Sequence, residues 1–201
     1  MASGAVKDRS VRYARGVART PAPGTRERVL AAASALFYAH GVRAVGMNRV
    51  IQEAGTGKNL LYRHFPEKAD LVAAYLARVV EIRTAEAAAA LAGATSPRDR
   101  LLALVREVAD KVASPAFRGC AFRNYLAEFP DREDEAPAAV ARDYLRRTRR
   151  QVAELAPSAE VAERVWLVVD GLYLRAAYLD AGEDREAAGR AAVDLVESLL
   201  R

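Results

Sequence analysis

Cysteine is almost missing from this sequence. Cys120 stands alone in 201 residues, so no internal disulfide can form, which fits a reducing compartment. Histidine is nearly as scarce, with only His40 and His64. With no glycine-rich phosphate loop after a strand and no Cys/His ligand spacing, neither a nucleophilic triad nor a metal site can be assembled. No enzymatic activity, metal or cofactor is therefore expected. Long apolar runs are lacking too: the richest stretch, Trp166 to Leu179, is broken by Asp170 and Arg175 and falls short of the roughly 18 residues a membrane span needs. The N-terminus is basic with no apolar block behind it, unlike a secretory signal, so a cytoplasmic location without a membrane partner is expected. No segment alternates β-branched and polar residues between hairpin turns, which argues against a sheet.

What is present is a chain with 52% hydrophobic and 28% charged residues, the balance of a soluble globular protein. Its charge is unevenly placed. Residues 1–80 carry 13 Lys and Arg against 5 Asp and Glu, whereas residues 81–201 carry 18 against 21. A basic first part on a mildly acidic remainder suits an anionic partner met by the N-terminal segment alone. Nucleic acid is the commonest such partner and a lipid surface its rival. Only four of the 31 basic residues are lysine, so coding bias contributes to the arginine richness.

Residues 1–24 hold Lys7, Arg9, Arg12, Arg15 and Arg19 against Asp8 and show no apolar period; they read as a flexible basic arm. Thr25 is placed to cap a helix with the stripe Val29, Ala33, Leu36 and Phe37, closed by Gly41. Short helices are predicted over about 47–54 and 58–64, and a long one from Glu67, Lys68 and Asp70 to about Leu91. Ser96-Pro97-Arg98-Asp99 combines a capping serine, a proline at the first helical position and a carboxylate at the third, so a helix runs from there to about Ala113. Further helices are predicted over about 118–129, 136–156, 158–181 and 184–201. The fold class is all-α with about nine helices: an N-terminal helix-turn-helix domain over 25–70 and a C-terminal helical domain over 71–201.

Between Val50 and Phe65 the chain reads VIQEAGTGKNLLYRHF, followed by PEKADL. A helix-turn-helix needs a small residue where its helices cross, a turn residue tolerant of positive φ, and apolar residues locking the second helix to the first. Ala54, Gly55 and the pair Leu61 and Phe65 meet these needs in order. A short helix held this way presents its N-terminus outward and fits the width of a B-DNA major groove.

The run Ala54-Gly55, Lys58, Leu61-Tyr62-Arg63-His64-Phe65 and Lys68-Ala69-Asp70-Leu71 resembles the TetR family of transcriptional regulators over roughly residues 25–80. The run Arg118 to Asn124, with Ala127 to Asp131, is similar to a segment of some members. The resemblance implies a homodimer with N-terminal domains reading a double-stranded DNA operator and C-terminal domains binding a small-molecule effector. It implies that Tyr62, His64 and Lys68 donate to phosphates while Lys58, Asn59 and Leu60 face base edges. Asn48 would add a phosphate contact at the preceding helix N-terminus, and Arg19 and Arg26 would reach the backbone or a minor groove from the arm. Thr56-Gly57 replaces the usual Val-Ser, so the capping hydroxyl has moved to Thr56 or been lost. Asn59 and Leu60 also depart from the pattern. Asn59 has the chemistry to pair with adenine and Leu60 to rest on a thymine methyl, so the two should set the base preference.

The predicted helix over 158–181 is apolar nearly all round, so both faces must be covered. The stripe Val161, Val165, Val168, Leu172, Ala176 and Leu179 is expected to meet its copy in a second subunit, joined by Ala191, Leu195 and Leu199 of the last helix. The other face, with Trp166, Asp170 and Tyr173, would line an effector pocket together with Phe117, Phe122, Asn124, Tyr125, Phe129 and Tyr144. Plain core packing is the competing use of these aromatics. Asp170 on an apolar face wants a cation, a hydroxyl or a ligand amine, with Arg123 or Arg175 as internal candidates. Cys120 reads as a buried thiol. Arg142, Arg146, Arg147, Arg149 and Arg150 read as a solvated, salt-bridged face. The function expected is a DNA-binding repressor released from a palindromic operator by its effector. The alternative is a ligand-binding or scaffold protein of the same fold that no longer reads an operator.

Overall fold

Local punctuation decides where each helix begins. The computed structural model describes residues 24–131 and 135–201, so the expectations for the arm, Arg19 included, lie outside the described residues. Among the described residues there are nine helices and no strand: α1 Thr25–His40, α2 Met47–Glu53, α3 Lys58–His64, α4 Lys68–Leu91, α5 Pro97–Ala113, α6 Ala121–Glu128, α7 Ala136–Leu155, α8 Ala159–Arg175 and α9 Glu183–Leu199. Ser96 caps α5 as expected, its Oγ accepting from the backbone N–H of Asp99 at 3.0 Å. Glu67 and Asp70 close a reciprocal capping box on α4.

Three boundaries differ from the sequence reading. Gly24, not Thr25, occupies the N-cap of α1, and Thr25 is buried as the first helical residue. Gly119 sits at φ +99°, so α6 starts only at Ala121. α8 stops at Arg175 because the next amides bond three residues back, Ala177 to Leu174 and Tyr178 to Arg175, which tightens the chain out of the α-helix.

A first apolar core joins α1–α4 to α6 and α7 through Leu36, Phe37, Leu61, Leu71, Phe122 and Tyr125. Two further clusters join α5, α8 and α9 through residues such as Leu102, Val105, Val165, Leu172 and Val196. α5 and α9 approach closely: a Cβ on Gly189 would stand 3.1 Å from that of Ala109. The basic run on α7 is partly paired across the surface, Arg149 with Glu163 at 2.6 Å and Arg146 with Asp143.

These clusters correct the expected subunit stripe. Val165, Leu172 and Ala176 are buried inside the single chain, and Val161, Val168, Leu179 and Leu199 pack half-buried against the same cores. Of the expected set only Ala191 and Leu195 stay exposed. The outward face of α8 and its turn is instead Leu167, Leu174 and Tyr178, exposed by 62%, 70% and 69%, with Leu195 of α9 at 50%. A helix apolar all round offers two stripes, and α5 and α9 took the first.

α4 and α5 are tied by a four-charge cluster. Arg83 donates to both Glu107 oxygens at 2.6 and 2.8 Å and to Glu86 at 2.7 Å, and Lys111 donates to Glu86 at 2.7 Å. Burial alone would raise the Glu86 carboxyl, but the hydrogen bonds from Lys111 and Arg83 outweigh it and hold the group below the ordinary value of 4.5. A carboxyl depressed in the folded state contributes stability above its unfolded pKa, and that contribution disappears as pH falls through the folded one. The melting temperature should accordingly drop as pH is lowered below about 4.5. Glu86→Gln should flatten that part of the curve in a calorimetric pH series; an unchanged slope would remove Glu86 from the account.

Candidate nucleic-acid interface

α2 and α3 have only seven residues each, too few to hold a helix in water unaided, so their geometry depends on what they pack against. Gly55 turns the chain between them at φ +57°, a conformation L-residues resist. Val50 of α2, Leu61 of α3 and Phe65 behind it are buried in the first core. With that face committed, the opposite edge of α3 presents Lys58, Asn59, Tyr62 and Arg63 to solvent, spaced i, i+1, i+4 and i+5 along one side. The Lys58 ammonium lies 5.9 Å from the centre of the Tyr62 ring, so cation and phenol form one surface. Leu60 is half-buried beside them, and Asn48 is exposed in the first turn of α2. Arg26, exposed on α1, stacks its guanidinium 5.2 Å from the Phe65 ring centre.

Three expected contacts are placed otherwise. Lys68 donates from Nζ to the Val42 carbonyl at 2.6 Å. It lines a depression of about 220 Å³ with Arg43, Tyr125 and Phe129 and ties α4 to the α1–α2 loop. The Thr56 hydroxyl is enclosed without a hydrogen-bond partner and Gly57 is the N-cap of α3, so the side-chain cap has been lost and not moved. His64 has its Nε2 enclosed in the same way. Sequence reasoning also left out Arg49, exposed on α2 with Nη2 2.8 Å from His40 Nε2; its signal was a basic residue next to Asn48.

The residues expected to line one pocket divide among three hollows. Phe117, Phe122, Tyr144, Trp166 and Tyr173 line a cavity of about 550 Å³, joined by Tyr38, Tyr75, Arg83, Lys111, Cys120 and Arg123. Phe122 stacks on Tyr144 with ring centres 4.1 Å apart. Burial, above all other influences, pushes the phenols of Tyr75 and Tyr173 far above their ordinary range, so both stay neutral donors. Tyr125 and Phe129 pack on each other, 5.0 Å apart, in the Lys68 depression. Asn124 and Asp170 open onto a neighbouring hollow, and Asp170 accepts from Arg123.

One junction had no sequence signal. Glu128, the last residue of α6, accepts from the backbone N–H groups of Val42 and Arg43 at 3.2 and 2.6 Å, while Arg43 donates back to the Glu128 carbonyl and lies over the Phe129 ring. The other end of α6 supplies Phe122 and Arg123 to the aromatic cavity. A single helix thus spans from the cavity wall to the loop that precedes α2.

Two short helices locked about a glycine turn, with a cationic edge outward, define an all-α helix-turn-helix protein. The family model for bacterial regulatory proteins, tetR family, matches residues 29–75. SCO4454, a TetR-family transcriptional regulator from Streptomyces coelicolor, is 30% identical with a TM-score of 0.81 over 88% of this chain and 94% of that one. The chain belongs to the TetR family of transcriptional regulators. A TetR transcriptional regulator from Chloroflexus aurantiacus shares the fold, with 23% identity and a TM-score of 0.72 over 86% of this chain and 93% of the other. The HTH-type transcriptional activator FasR of Mycolicibacterium smegmatis is 34% identical over 112 residues, 55% of this chain and 51% of FasR, so the chain matches about half of that relative's length. Among the described residues no helix is long and apolar enough to cross a membrane.

Proposed function

We propose that the chain is a homodimeric, DNA-binding repressor that leaves a palindromic operator when a small molecule fills the cavity behind α6. The observation that carries this reading is the outward edge of α3, where Lys58, Asn59 and Tyr62 stand together on a helix whose opposite face is locked into the core. Lys58 and Asn59 face base edges and Tyr62 donates to a phosphate. Asn48 and Arg26 reach the flanking backbone. Two such helices on a dimer stand roughly 34–36 Å apart to enter successive major grooves on one side of the duplex. An effector pressed against Phe122 and Arg123 bears on α6, whose far end grips Val42 and Arg43. An arrangement favoured by effector and unsuited to that spacing lowers operator affinity by the effector's differential affinity and no more.

Activation of transcription is the second reading, favoured by the name of the FasR relative; the position of the bound site relative to the promoter separates the two. The test is selection of bound genomic fragments by the purified protein, followed by sequencing and titration at several salt concentrations. A site-specific component above a steeply salt-dependent background is expected. Background alone would leave a scaffold or ligand-binding role. Tyr62→Phe should weaken every site roughly tenfold. Asn59→Ala should remove about 1–3 kcal/mol of discrimination at one base position. Equal loss on all sequences from the Asn59 change would take away its reading role.

A further inference from the structure

The charges around the aromatic cavity are sorted. Among the described residues its lining contains three cations, Arg83, Lys111 and Arg123, and no Asp or Glu. Arg83 and Lys111 are neutralised by Glu107 and Glu86 behind the wall, leaving them little capacity for another anion.

Arg123 is held differently. Its Nε and Nη2 both converge on one oxygen of Asp170, Oδ1, with Nε at 2.8 Å, while Nη1 has only the Cys120 sulfur at 3.5 Å. The Asp170 side chain is 41% exposed and lines only the outer hollow, whereas Arg123 forms the partition and lines both that hollow and the cavity. The guanidinium also lies over two rings, 5.3 Å from the centre of Trp166 and 4.8 Å from that of Tyr173. That aromatic slot would otherwise attract a ligand cation, and the chain has filled it with its own. A cationic ligand would meet the like charge of Arg123 there. A neutral one would leave the Arg123 fork facing apolar space. A carboxylate gains charge-assisted hydrogen bonds there without displacing any cavity-facing acid.

We propose that the effector is an apolar-bodied carboxylate whose acid group is taken by Arg123 in competition with Asp170, a statement that rests on the reading of this cavity as the effector site. The aromatic walls take the body of the molecule, and the guanidinium fixes its polar end against α6.

Trp166 is the only tryptophan in the sequence, so its emission reports directly on the cavity. The intact protein is titrated with phenylbutanoate, phenylbutanamide and phenylbutylamine, following Trp166 emission and heat. The acid should bind about tenfold more tightly than the amide, and the amine least. Arg123→Gln should bring acid and amide to within about twofold, and Arg123→Lys should keep the preference. Asp170→Asn should tighten the acid by about threefold or more, since it removes the competing carboxylate. Melting curves identify any variant that fails to fold; should Arg123→Gln do so, Arg123→Lys and Asp170→Asn decide the outcome. Acid and amide binding equally, or the amine binding best, overturns the carboxylate assignment and leaves the cavity as an effector site. No saturable binding by any of the three overturns both.

Discussion

Leu61→Ala should lower the stability of the folded chain by about 2–5 kcal/mol and abolish site-specific DNA binding. Leu61 is completely enclosed, and with Phe65 it fastens α3 to Val50 and α1. A seven-residue helix has no stability of its own to fall back on, so the cavity left by truncation frees the whole edge carrying Lys58, Asn59 and Tyr62. The clusters around α5, α8 and α9 share no residue with this lock. Urea unfolding should show the lowered midpoint, and the cavity should still quench Trp166 emission with phenylbutanoate below that midpoint. A variant that keeps both its midpoint and its specific DNA complex would refute the claim that Leu61 supports the reading edge.

Leu174→Asp should turn a dimer into monomers. A carboxylate at the centre of the Leu167, Leu174, Tyr178 and Leu195 face would be desolvated without a partner in the pair of subunits. In the single chain it simply meets water, so the melting temperature at dilution should hardly move. Operator affinity should fall by about two orders of magnitude or more, because each monomer then engages one half-site alone. Sedimentation velocity across a concentration series checks the first point and fragment binding the second. A dimer that persists unchanged would show that copies of this chain meet elsewhere. Val165→Asp is the contrast: that residue is buried within one chain, and its substitution should prevent folding before any subunit can associate.

The helix-turn-helix was legible because its determinants are local. Gly55, Leu61 and Phe65 act over ten residues, and the caps at Ser96 and Glu67 act over three. Lys68 has a second partner that no local signal shows. Its place in the sequence points to the duplex, but its ammonium lies within reach of the Val42 carbonyl, 26 residues away. The same holds for the α8 stripe. Periodicity identifies two apolar faces without ranking them, since the ranking depends on which face α5 and α9 occupy.

By itself the amino-acid sequence determined the all-helical class, most helix limits, the helix-turn-helix and the uneven charge, because capping, helical period and glycine turns act between residues a few positions apart. Only the tertiary structure decided which face of α8 is left exposed, that Glu128 holds Val42 and Arg43 from 86 and 85 residues away, and that Arg123 meets Asp170 across 47. Those pairings depend on where whole helices come to rest. Close packing of the core sets that, and no short-range signal encodes it.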